Sequence, residues 1–309
     1  MVKKRLQNRI AESRLALPVA SIYAMVVWLL GGLIQENLWV QFGLFVLAIY
    51  VMAQMNNMNA LIRIYSRMVS CSFIAMSCAA CFLFPSLRNG FIQLCYAGTV
   101  TLLFMTYQDK QASGLAFYAY TLLGMAAIAD VRILYLVPVM WLLTATQLQS
   151  LSGRTLSASI LGLLMPYWVT LCWMGWNNDV SSFPGLFVRW DDFGPLLDFT
   201  ALSTSRAATW GLVAVAALTG TIHYIRKHRD DRIRTRLLFG FLIWMDLTTM
   251  LLMIIQPAWS DMLAGLAIVN TAPLMGHFIS LSSTRYTNIY CGMLLAATLL
   301  LTVYNLWTI

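Results

Sequence analysis

Apolar runs of 15 to 22 residues follow one another along the chain, separated by short polar or charged breaks. A straight crossing of a bilayer takes about 20 predominantly apolar residues. Read that way, the pattern predicts an all-α polytopic transmembrane helical bundle of about eleven spans. These cover residues 16–34, 38–55, 68–84, 90–107, 115–129, 133–148, 155–175, 207–224, 237–258, 262–281 and 289–306. The fifth and sixth are short for a crossing and read either as two thin spans or as a hairpin that dips in and out. The whole of 1–309 reads as one integral membrane domain with three polar exceptions. These are a basic segment at 1–15, a long loop at 176–206 and a basic connector at 225–236.

Composition agrees. Hydrophobic residues make up 60% and charged residues 10% of the chain, against roughly 25% charged in ordinary soluble domains. The net charge of +8 does not indicate nucleic-acid binding, because the basic residues are clustered at connectors. With the N-terminus in the cytoplasm, sixteen of the twenty Lys and Arg fall inside and only Arg88, Arg132, Arg189 and Arg206 fall outside. That bias fits the positive-inside rule. It puts the C-terminus and the 176–206 loop outside the cytoplasm and makes the 225–236 connector a cytoplasmic anchor. The N-terminus lacks a short apolar core with a small-residue cleavage site, so the first span reads as retained. The six cysteines all fall in apolar segments and read as small buried residues; the Cys78–Cys81 spacing has no second pair and no nearby His to make a metal site.

Two places carry chemistry. The outer loop sets Asp179, Asp191, Asp192 and Asp198 among Trp176, Phe183, Phe187, Trp190 and Phe193. Adjacent carboxylates at Asp191 and Asp192 suit a divalent cation that coordinates a phosphate or pyrophosphate. Trp190 suits a sugar ring or the headgroup level, and Arg189 or Arg206 suits phosphate oxygens. The competing reading is a solvated loop carrying an interfacial aromatic belt. Glu36, in a three-residue turn after the first span, is a further acid on the same side, or simply a turn residue.

The second place is within the bilayer. Asp246 lies near the middle of the ninth span, where an ionised acid costs roughly 2.5–3.5 kcal/mol on insertion scales. It must face the bundle interior, be protonated or find a partner. His277, with Asn270 two turns earlier on the same face, is a partner if helix tilt closes a depth difference of roughly 7–8 Å. Thr248, Thr249 and Thr271 extend the polar set, and Pro273 predicts a kink that either opens a cavity or only adjusts packing. No Walker loop, GxSxG or HExxH pattern occurs.

Four stretches, MNNMNALIRIYSRM at 55–68, YQDKQASGLAFYAY at 107–120, LSGRTLSASILGLLMPY at 151–167 and Ala272-Pro273-Leu274, resemble an uncharacterised family of multi-spanning inner-membrane proteins from Bacteroidota. That resemblance implies the inner membrane of a Gram-negative cell and no particular reaction. Residues 115–145, two short apolar segments around Asp130-Val131-Arg132, more loosely resemble core hairpins of polyprenyl-linked membrane glycosyltransferases. Three functions follow as expectations. The first is envelope biogenesis with a lipid-linked glycan handled outside by Asp179, Asp191 and Asp192. The second is a transporter or flippase built on Asp246 and His277. The third is a non-catalytic membrane scaffold. The expected partners are the lipid bilayer, a lipid-linked glycan or other membrane proteins, with no nucleic acid and no cofactor assigned beyond the divalent cation.

Overall fold

In the computed structural model the chain is all helical, and residues 6–188, 190, 193–200 and 202–308 are described. Twelve α-helices occur among them: α1 Leu6–Ala11, α2 Ala16–Leu30, α3 Trp39–Asn59, α4 Met68–Ala79, α5 Leu87–Met105, α6 Ser113–Ala129, α7 Val137–Thr146, α8 Gly153–Trp176, α9 Thr204–Lys227, α10 Ile233–Ile255, α11 Ser260–Leu281 and α12 Arg285–Thr308. The eleven apolar runs of the sequence correspond to α2 through α12. Six of the helical segments are by themselves long and apolar enough to cross a membrane: those around α3, α8, α9, α10, α11 and α12. The protein is therefore a multi-spanning membrane helical bundle.

Of the expected count of about eleven spans, these six are shown among the described residues. The reason is length and composition. Helices α2, α4 and α6 have 15, 12 and 17 residues, about 18–26 Å of rise against a hydrocarbon core of about 30 Å. Helix α7 has ten residues and gains depth only from the 3₁₀ turn Val131–Leu136 before it. Helix α5 is longer, but Arg88, Asn89 and Gln93 make its first half polar. Segments 115–129 and 133–148 form a short hairpin whose corner is Asp130, in an extended conformation, with its side chain capping the 3₁₀ turn through the Arg132 amide.

Polar residues mark the helix starts. Ser86 accepts from the Asn89 amide at the start of α5, Ser203 from the Arg206 amide at α9, and Ser152 forms a reciprocal capping box with Thr155 at α8. Helix α11 is the hub. Nineteen of its 22 residues are buried, and it packs against α4, α5, α9 and α10. Small residues permit this. A Cβ on Gly276 would stand 2.8 Å from the Val69 nitrogen of α4, and one on Gly220 of α9 would stand 2.7 Å from Leu274 Cβ. Helices α6 and α8 meet in the same way, through Gly124 against the Leu163 carbonyl and Gly162 against the Phe117 carbonyl. Lipid chains give no hydrophobic drive for helix association, so this close backbone approach supplies the packing energy. Pro273 lies inside α11 with neighbours buried on all sides.

The outer surface of the bundle is as apolar as its core. Ile22, Leu30, Trp173, Leu218, Leu251, Leu300 and Trp307 are all exposed, an arrangement suited to lipid and costly in water. Cys172 belongs to this surface, which corrects the expectation that every cysteine is buried: in hydrocarbon a small apolar side chain loses nothing by facing out.

Connector contacts fall into two sets. One joins Gln7, Asn59, Arg63, Ser66, Thr106, Ser150, Asp230, Asp231, Arg234, His277 and Ser282. The other joins Arg88, Asp130, Tyr135, Trp190, Gly194, Arg206, Gln256 and Asp261. Each set marks one end of the bundle.

Candidate functional site

The long loop is docked on the second of these ends. Its start is the 3₁₀ segment Val180–Phe187, which leans on α8 through Phe187 stacked on Tyr167 at 5.3 Å. Trp190 stacks on Tyr135 at 4.8 Å, and the Tyr135 hydroxyl donates to the Trp190 carbonyl at 2.7 Å. Phe193 and Trp259 complete the cluster around Tyr135, each with its ring centroid 5.6 Å away. Beyond it, Gln256 donates to the Gly194 carbonyl at 3.2 Å and the Leu197 amide to the Ile255 carbonyl at 3.2 Å. The loop is thus an aromatic cap laid over the ends of α7, α10 and α11.

An ionic group lies against this cap. The Asp130 carboxylate, with its side chain fully buried, accepts from Arg132 Nε at 2.9 Å and Nη2 at 2.8 Å, and also from Arg88. Two guanidiniums thus converge on one carboxylate. The Arg132 guanidinium sits 5.4 Å from the Trp259 ring centroid, close enough for a cation–π contact. Nearby on the same end, Arg206 pairs with Asp261 at 2.9 Å and lies over Phe82. The charges at 130 and 132 are visible in the sequence as a turn. Their convergence with Arg88, 42 positions earlier, becomes visible only when α5 and α6 pair.

Of the loop acids, Asp179 and Asp198 lie among the described residues, and each bonds within its own turn. Asp179 is exposed and accepts from the Ser182 hydroxyl at 2.6 Å, so it shapes the turn it sits in. Asp198 accepts from both the hydroxyl and the amide of Thr200, at 2.6 and 2.9 Å, and these bonds hold its carboxyl below the ordinary carboxylate value. Arg189, Asp191 and Asp192 lie outside the described residues. Glu36 is an exposed turn residue whose amide bonds the Gly32 carbonyl. Among the described residues no three His, Cys, Asp or Glu side chains converge as metal ligands.

Asp246 is buried in α10, as its place in the span requires, and its partner is Thr271 of α11. The Thr271 hydroxyl lies 3.1 Å from each carboxylate oxygen. Next to it, Tyr96 of α5 donates to Asn270 Oδ1 at 2.9 Å. Thr249 turns back to the Asp246 carbonyl and Thr248 to the Trp244 carbonyl, so only Thr271 of the expected threonines reaches the carboxylate. Asp246 and Asn270 line neither the apolar cleft described below nor three other recesses of the bundle.

The Asp246–His277 pairing is not formed. His277 is a turn and a half nearer the other end of α11, and its Nε2 lies 2.9 Å from Asp231 Oδ2. Both side chains are buried, boxed by His223, Tyr224 and Phe239. Asp231 was hidden in a basic run that reads as a solvated anchor. The run is instead folded onto the bundle: Arg234 donates to Asn59 Oδ1 at 2.9 Å, and Arg63 pairs with Asp230. His228 bonds the Ile225 carbonyl and is half-buried.

No family model matches the chain, and no curated protein or solved structure matches it at a significant level.

Proposed function

We propose that this is an envelope-biogenesis protein of a Gram-negative inner membrane that handles a lipid-linked glycan at the outer face. The observation that carries the reading is the capped end of the bundle. There Tyr135, Trp190, Phe193 and Trp259 cluster, the Arg132 guanidinium lies over Trp259, and Arg88 and the Arg206–Asp261 pair stand at the same end. Aromatic faces suit sugar rings, and guanidiniums suit phosphate oxygens in a bidentate fork. A sugar phosphate on a lipid carries both groups and arrives at the membrane surface, where this end of the bundle lies. Asp191 and Asp192 adjoin Trp190 in sequence and are the acids to test for a divalent cation or general-base role.

The topology belongs to the same proposal: N-terminus in the cytoplasm, eleven crossings and C-terminus outside. Two observations support it. The connector contacts separate into two sets that alternate along the chain from α2 to α12. With the N-terminus in the cytoplasm the basic residues of the sequence divide sixteen to four between the two faces, as the positive-inside rule requires. Short helices such as α4 and α7 then cross only because larger neighbours shield their polar ends. The transporter reading receives less support, because Asp246 is engaged by Thr271 in a packed interior and has lost His277 as a partner.

The test replaces Asp191 and Asp192 together with Asn, and separately Trp190 with Ala. Loss of surface glycan with normal protein levels in the membrane is expected; normal glycan in both variants overturns the proposal. In a cysteine-free background, Ser181→Cys should react with an impermeant maleimide on intact cells and Arg229→Cys only after permeabilisation. The reverse pattern overturns the topology.

A further inference from the structure

At the opposite end of the bundle α2 and α12 splay apart. They are tied at mid-depth by the Tyr23 hydroxyl and the Thr302 hydroxyl at 2.7 Å. At their ends they are strapped by α1, whose Gln7 amide donates to Asn288 Oδ1 and whose Asn8 donates to the Ser282 carbonyl. Between the two ties lies a cleft of about 530 Å³, floored by α4 and α11, within the roughly 300–1,000 Å³ of ligand pockets. Its walls are aliphatic, with Val19, Ala20, Ala75, Met275, Leu295 and Leu299 among them. Because both ends are tied, the helices cannot simply close on it.

The mouth of this cleft is charged. Arg14 stands between the lining residues Ser13 and Leu15, and Arg67 immediately precedes the lining residue Met68. With Glu12, Ile64 and Tyr65 these two exposed arginines border a second recess. The recess thus carries two guanidiniums and one carboxylate. Arg67 is held by the Tyr65 hydroxyl at 3.1 Å. Two buried polar atoms in the cleft wall, Ser72 Oγ and Gln7 Oε1, have no hydrogen-bond partner among the described residues. Ser72 is one turn in from Met68, about 6 Å deeper, the level at which a lipid's ester groups follow its phosphate.

We propose that the cleft holds an acyl chain of an anionic phospholipid, with its phosphate against Arg14 and Arg67 and an ester oxygen at Ser72. A chain moving from the bilayer into an apolar cleft gains little hydrophobic energy, since lipid is already apolar. Preference must therefore come from the mouth, where the net positive charge favours an anionic headgroup over a zwitterionic one. This site is at the other end of the bundle from the glycan surface and does not depend on it. Only the name of the leaflet, cytoplasmic, rests on the proposed topology.

The test uses the full chain in nanodiscs of equal phosphatidylglycerol and phosphatidylethanolamine, released into mild detergent for native mass spectrometry. Both leaflets then have one composition, so sidedness does not enter. The wild type should retain phosphatidylglycerol preferentially. Arg14→Gln and Arg67→Gln should each lower that preference about fivefold. Ala20→Trp, which fills the cleft, should abolish retention; if it fails to fold, Ala75→Leu replaces it. Equal retention of the two lipids by the wild type overturns the proposal, as does retention unchanged in the cleft-filling variant. A lipid-free dimer would assign the cleft to a second copy of the chain and would also overturn it.

Discussion

Replacing Asp130 with Asn removes one charge from the ionic group it forms with Arg88 and Arg132 and keeps its shape. The Asp130 side chain is 0% exposed, that of Arg132 13% and that of Arg88 33%. Breaking a buried ion pair by removing one partner costs about 3–5 kcal/mol, because the remaining charge is left buried. Here the cost is smaller. Arg88 is a third exposed and can rehydrate, and Arg132 keeps the Trp259 ring face. The amide also still caps the Arg132 backbone. Most of the penalty then falls on Arg132, at about 2–3 kcal/mol, or a fall in melting temperature of roughly 5–10 °C. The assay is thermal unfolding of the purified protein in detergent, with Arg132→Gln and the double variant Asp130→Asn/Arg132→Gln beside it. The double variant should lose less than the sum of the two single losses, because the two side chains bond each other directly. A coupling of at least about 1 kcal/mol is expected for groups in direct contact. Additive losses, or an unchanged melting temperature for Asp130→Asn, would refute the reasoning.

Gly276→Ala drives a methyl to within 2.8–3.1 Å of the Val69 and Met68 backbone, which cannot move without shifting α4. A loss of about 1–3 kcal/mol is expected in the same unfolding assay, and none if the two helices slide freely. Asp246→Asn keeps an acceptor for Thr271 and should be close to neutral, whereas Asp246→Ala should cost roughly 1 kcal/mol. Surface glycan should be normal in Asp246→Asn, and its loss would restore the transporter reading. At Asp198 the folded carboxyl is held below its ordinary value of 3.8 by Thr200, so its stabilisation is present above 3.8 and is lost as pH falls through the depressed value. Proteolytic nicking near residue 200 should rise on acidification, and Thr200→Val should show the raised rate already at neutral pH.

Helix positions were legible in the sequence because a run of apolar residues bounded by charge leaves few alternatives. Whether a run crosses was less legible. The run at 68–84 breaks at Ala80 into a helix of 12 residues and a 3₁₀ turn, and no periodicity announces that break. Nor is Asn56-Asn57-Met58-Asn59 a connector. It is the last turn of α3, with Asn56 donating to the Ser66 carbonyl and Asn59 to that of Met55. The burial of Asp246 followed from its place in a span, and Thr271 was among the polar residues expected near it. Asp231 could not be found, because a carboxylate in a run of six basic residues reads as solvated until the fold turns it toward His277. The long loop between α8 and α9 shows in the sequence as a break in the apolar pattern, but its contacts with Tyr135 and Trp259 join positions 55 and 66 residues apart.

These contacts bear on where chemistry can occur. Helix α11 meets a different element through each of four polar residues. Asn270 takes Tyr96 of α5, Thr271 meets Asp246 of α10, His277 meets Asp231 of the basic connector, and Ser280 meets Ser66 before α4. In lipid the hydrophobic effect does not fix how a helix is rotated, since every apolar face is equally acceptable. Polar pairs do, because a wrong rotation strands a donor or acceptor where no water can reach it. Each pair contributes only about 0.6 kcal/mol on average, so the gain lies in a single register more than in stability. On this account Asp246 is one of four pins that seat the hub. The capped end presents a different set: the exposed Trp190 and Phe193 rings, and the partly exposed Arg88 and Arg206 side chains. A lipid-linked substrate that reached the protein sideways through the membrane would meet those groups first.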